Sequence, residues 1–113
     1  MIKCFDVVNM VVEEATNRFA PIWKINEEHY NVLQSYCDII DSIARFNDAE
    51  SFDVEVSEVD MTIKIVIESP DLVSDENDSF TELIRHTVGF GFSASEEGLL
   101  RTKLVFPSIW QHV

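Results

Sequence analysis

Apolar side chains recur at heptad-like spacing along residues 5 to 19, at Phe5, Val8, Val12, Ala15 and Phe19. That spacing predicts one face of a helix about four turns long. Asp6, Glu13, Glu14, Asn17 and Arg18 fall elsewhere on it, and Glu14 and Arg18 stand four apart as a favourable surface pair. Ala20-Pro21 ends the pattern, because the residue before a proline disfavours helical angles. A second helix is predicted from Asn26, whose side chain suits an N-cap, with Glu27 and Glu28 in the first turn where the helix dipole favours negative charge. Its apolar residues form two adjoining stripes, Tyr30, Leu33, Cys37, Ile40, Ala44 and Val32, Tyr36, Ile39, Ile43, Phe46. A face that broad needs cover on two sides, the first helix on one and a sheet on the other.

From Phe52 the period changes to two. Phe52, Val54 and Val56 alternate with Asp53, Glu55 and Ser57, then Met61, Ile63, Ile65 and Ile67 alternate with Thr62, Lys64, Val66 and Glu68. This predicts a β-hairpin with one buried and one wet face, ended by Pro70. A short helix follows, with Phe80, Leu83, Ile84 and Val88 near its inner side. Ser79-Phe80-Thr81-Glu82 fits an S-x-x-E capping box, and Asp75, Glu76 and Asp78 lie just ahead of the positive helix end. In a second hairpin Val88, Phe90, Phe92 and Ala94 face one way and Leu100, Thr102, Leu104 and Phe106 answer them, with Gly98 supplying a left-handed loop position. The expected fold class is α+β, one domain over residues 1–113. Two N-terminal helices precede a β-hairpin–α–β-hairpin unit, which forms a four-stranded, mostly antiparallel sheet with helices on one face.

Composition narrows the partners. The 113 residues, 46% of them hydrophobic, suffice for one core without a metal or disulfide staple. A net charge of −13 repels nucleic-acid phosphates and anionic membranes, and suits a basic protein partner or plain solubility. No apolar run is long enough to span a bilayer, and the N-terminal order of residues does not resemble a secretory signal. Cys4 and Cys37, in apolar surroundings, fit reduced, buried thiols, and the expected location is cytoplasmic. An antiparallel helix pair places Cys4 opposite about residue 42, which sets Cys37 about 7.5 Å away along the axis and argues against a disulfide.

The candidate chemistries mostly fail on spacing. The glycines of "VGFGFS" sit inside a strand, not between a strand and a helix, so a phosphate loop is not indicated. His29, His86, His112, Cys4 and Cys37 form no close ligand pair, so neither a zinc site nor any cofactor is expected. An EF-hand register starting at Asp75 meets Phe80 where glycine is required and His86 where glutamate is required. Asp38 and Asp41 share a helix face, with Arg45 placed to neutralise Asp41. For catalysis the one arrangement to weigh is His86 with Glu82 one turn earlier, which would make a small enzyme.

Acid distribution is the most unusual feature. Twelve of the twenty-one acids fall between Asp48 and Glu82, where Lys64 is the only base. The leading expectation is a non-enzymatic interaction or regulatory protein that binds a protein partner or forms a homodimer. Its surface would combine the outer sheet face (Asp53, Glu55, Val66, Glu68, Val105) with the acidic 69–82 edge (Asp71, Asp75, Glu76, Asp78). Ile109 and Trp110 either fold back onto the core or join that surface. The alternative is an acidic inhibitor that imitates nucleic acid in a basic groove. Arg101 and Lys103 weigh against it, because they share the outer face and would pair with its carboxylates.

Overall fold

Both predicted N-terminal helices form where the apolar stripes lie. The structure is a computed structural model and describes residues 3–49, 51–70 and 79–113. Helix α1 (Cys4–Phe19) buries Cys4, Val8, Val12 and Ala15, and it ends at Ala20 in extended backbone before a cis Ala20-Pro21 bond. Helix α2 (Glu27–Phe46) begins as the sequence predicts, with Asn26 Oδ1 accepting the His29 backbone N–H at 3.1 Å. Leu33, Cys37, Ile40 and Ala44 of its first stripe are buried. The second stripe is covered only in part: Ile43 is buried, whereas Val32 and Phe46 remain exposed.

The start of α1 is capped from a distance. Lys3 occupies the N-cap position without a side-chain cap, and Asp41 on α2 supplies the missing acceptor, its Oδ1 taking the Cys4 N–H at 2.8 Å. A carboxylate at a helix N-terminus answers both an orphan donor and the helix dipole. Asp41 is therefore turned inward to α1, and not outward to Arg45 as helix spacing suggested.

Among the described residues six strands complete the fold, together with α3 (Ser79–Arg85). They are β1 (Trp23–Ile25), β2 (Ser51–Val56), β3 (Ile63–Ser69), β4 (Gly89–Ala94), β5 (Leu100–Phe106) and β6 (Trp110–His112). The main sheet has the order β2-β3-β5-β4 and is antiparallel throughout, so the two predicted hairpins join through β3 and β5. Gly98 has φ 86°, the left-handed angle its hairpin loop requires. On the inner face Val54, Ile65 and Leu104 stand side by side across three strands, all buried. Tyr36 of α2 stacks on Phe106 of β5 with ring centroids 5.2 Å apart, while α1 packs on β2.

Two features depart from the sequence reading. The short strands β1 and β6 pair antiparallel, Lys24 opposite Gln111, and tie the interhelical segment to the C-terminal residues. This second sheet folds the end of the chain inward. Ile109 and Trp110 are only 2% and 5% exposed, and the Trp110 indole donates to Thr16 Oγ1 at 2.8 Å. Both belong to the core, which is the fold-back the sequence allowed for. The other departure concerns β4. Its inward-facing side chains stay open, Phe90 at 37% and Phe92 at 48% exposure, and Val88 just before the strand is 64% exposed. Period two placed them on the correct face, and Phe80 of α3 meets Phe90 edge-on with centroids 5.9 Å apart, but the described helices cover the two rings only in part.

Candidate partner-binding surfaces

The register brings Asp53, Glu55, Val66, Glu68 and Val105 together on the outer face of the sheet. Asp53 stands opposite Val66, Val66 opposite Lys103, and Lys103 opposite Gly91; the next row is Glu55, Lys64, Val105 and Gly89. The carboxylates in these rows have basic neighbours. Lys64 Nζ lies 2.7 Å from Glu55 Oε2, and Arg101 lies between Asp53 (3.8 Å) and Glu68 (3.4 Å). The hydrogen bond from Lys64, then its charge, holds the Glu55 carboxyl below the usual glutamate range. Val66 is buried and Val105 half-buried. Val105 leans over Gly89, where an added Cβ would stand 3.3 Å from its side chain, and the Lys103 stem lies over Gly91. The face is thus an ion-paired surface with little open apolar area, and not a free array of carboxylates. Asp71, Asp75, Glu76 and Asp78 lie outside the described residues.

The other candidate chemistries receive definite geometry. The Glu82 carboxylate takes the Arg85 guanidinium at 2.8 Å, while His86 stacks on Tyr36 with centroids 5.3 Å apart, so the two do not form an oriented pair. Cys4 and Cys37 are free, buried thiols, yet they are not separated as the estimated register implied. The Cys4 thiol has the Cys37 thiol as a neighbour across the two helices. That contact, followed by burial and the negative charges nearby, pushes its pKa far up, opposite to what a nucleophilic cysteine needs. Among the described residues no three His, Cys, Asp or Glu side chains converge to hold a metal ion.

One apolar groove is notable. His29, Val32, Leu33, Tyr36, Phe106, Pro107 and Ile109 line a space of about 300 Å³ between α2 and the segment after β5. It exists because the second stripe of α2 is only partly covered.

The outer edge of β4 is the feature that sequence reasoning missed. The Ser95 N–H donates to the Leu99 carbonyl at 2.8 Å, which fixes the alternation of the hairpin. Gly89, Gly91 and Ser93 therefore direct their backbone groups at β5, and Phe90, Phe92 and Ala94 direct theirs outward. Among the described residues no strand pairs with that side. A legible signal existed: Thr87 to Ser95 holds no charged residue in a chain that is 26% charged. Comparison with family models, characterised proteins and solved structures gives no match, so the reading of these surfaces rests on their own residues.

Proposed function

We propose that the protein is a non-enzymatic interaction module whose working surface is the β4 edge with its exposed Val88, Phe90 and Phe92. The observation that carries this reading is an edge strand with outward-directed backbone groups, no charge and no proline, flanked by solvent-exposed aromatic rings. Edges of that kind accept an added strand, with main-chain hydrogen bonds supplying affinity and side-chain contacts supplying selectivity. The adjoining outer face, with its paired charges, supports discrimination between partners more than raw affinity. The acidic-inhibitor alternative draws less support, because Asp53, Glu55 and Glu68 already have cationic neighbours.

The test is affinity capture from the native host with wild type and Phe92→Lys as paired baits, eluted with a salt gradient. A partner held at moderate salt by wild type and lost from Phe92→Lys supports strand addition. Capture that collapses between low and moderate salt, equally for both baits, would instead favour mimicry of a polyanion.

A further inference from the structure

Self-complementarity of the β4 segment is written into its two flanks. Arg85 and His86 precede the charge-free stretch, and Glu96 and Glu97 follow it. Two such segments aligned head to tail would bring each basic flank against the acidic flank of the other. A parallel alignment would place like charges together. We infer that the occupant of the β4 edge is a second copy of this chain, paired antiparallel about a twofold axis near Gly91 to give one continuous eight-stranded sheet. This rests on the reading of β4 as the working surface.

The register follows from the chain itself. With the axis at Gly91, Phe90 of one copy stands opposite Phe92 of the other. These are the residues whose amides and carbonyls point outward, so each pair exchanges two backbone hydrogen bonds. The rings fall on the same face, where each copy already has Phe90 against Phe92 edge-on at 4.8 Å. Cross-strand aromatic pairs are among the favourable ones in antiparallel sheets. Gly91 meets Gly91 on the opposite face, so no Cβ obstructs the axis. In the same antiparallel alignment the end of β4 that follows Arg85 and His86 lies toward the second copy's β4–β5 loop, which carries Glu96 and Glu97. Elsewhere a chain of net charge −13 resists its own approach. β4 itself carries no charged residue, although the Lys103 stem lies over Gly91, and Arg85, already paired with Glu82 in its own chain, is brought toward the acidic loop of the second copy. A twofold contact of this kind is also closed, because each β4 is used once.

Sedimentation and light scattering of the full chain from micromolar to millimolar concentration test the inference. Wild type is expected to approach twice its 13.0 kDa mass, and Phe92→Lys to remain monomeric with an unchanged circular-dichroism spectrum. Hydrogen exchange adds a readout specific to the register. The Phe90 and Phe92 amides gain protection as concentration rises, while the Gly91 and Ser93 amides, already directed at β5, do not. Should Phe92→Lys fail to fold, charge exchange decides: Arg85→Glu and Glu97→Arg each weaken association, and the double variant restores it. Wild type that stays monomeric at millimolar concentration overturns the inference, as does a dimer indifferent to both Phe92→Lys and the charge exchange. A monomer that still captures a partner through Phe92 leaves the interaction reading intact. Capture indifferent to Phe92 removes both.

Discussion

The two edges of one sheet are treated in opposite ways. β2 carries Asp53 and Glu55 outward, has Lys64 and Arg101 beside them, and lies under α1. Outward charge and a covering helix are the standard protections of an edge strand. β4, three strands away, has neither charge nor described strand partner, and its inner-face rings are open to solvent. A chain with twenty-one acids does not lack residues for protecting an edge. The contrast separates a protected edge from an open one, and the proposed contact at β4 rests on that difference.

The largest expected effect comes from placing a charge on the inner face of each edge in turn. Val54 of β2 is buried, so Val54→Asp leaves an unpaired carboxylate in the core and should cost about 3 kcal/mol or more. Phe92→Lys on β4 makes a comparable chemical change at a half-exposed site and should alter stability by less than about 1 kcal/mol. Urea unfolding of both variants measures the difference, and equal losses would show that β4 is as much core as β2.

A smaller effect comes from loosening the cover over β2. Asp41→Ala removes the acceptor for the first amide of α1 and should destabilise the protein by about 1–3 kcal/mol. Asp41→Asn keeps a carbonyl oxygen in place and should recover part of that loss. Amide exchange should quicken in the first turn of α1 and along β2 while β4 is unchanged. Acceleration spread evenly over both edges would contradict the separation drawn above.

Beside β4 the change should be favourable. Thr102 of β5 stands opposite Phe92, fully buried, and among the described residues its hydroxyl has no hydrogen-bond partner. Thr102→Val retains the shape and removes an unsatisfied polar atom, so a gain of about 1 kcal/mol is expected in thermal or urea unfolding. Self-association through Phe92 should be unaffected. A loss of stability would mean that the hydroxyl has a bonding role in solution.

Periodicity made most of this architecture legible, and its failures have specific physical causes. The stripes of α1 and α2, the Asn26 cap, both hairpins and the Gly98 turn follow from local spacing and backbone preference. The β1–β6 sheet did not, since three-residue strands such as Trp23–Ile25 and Trp110–His112 show no period, and their pairing spans the whole chain. Asp41 and the Cys4–Cys37 contact depend on the distance between two helices, which intrahelical spacing does not specify. The candidate surface was missed for a third reason. Alternation tells which face a side chain takes, but whether Phe90 and Phe92 are covered depends on how far the helix layer reaches. The uniform lack of charge from Thr87 to Ser95 was visible, yet it reads equally as a buried strand until that reach is known.

The smallest expected effect is pH-dependent, and it belongs to β2 alone. Lys64 holds the Glu55 carboxyl below the ordinary glutamate value of 4.5, chiefly by its hydrogen bond and then by its charge. A carboxyl whose folded pKa is depressed adds stability above its unfolded value, and that contribution disappears as pH falls through the folded value. The pair is exposed and screened by salt, so the contribution should be about 0.5 kcal/mol or less. Comparing wild type with Lys64→Met in urea from about pH 6 to about pH 3 follows it, because progressive protonation of Glu55 removes the interaction as pH falls. The stability gap between them should narrow as pH falls and shrink in high salt, while any self-association through uncharged β4 shows neither trend from this source. A gap that is constant across the range would mean that Lys64 contributes through packing of its stem. The outward charge of β2 would then protect the edge sterically and not electrostatically.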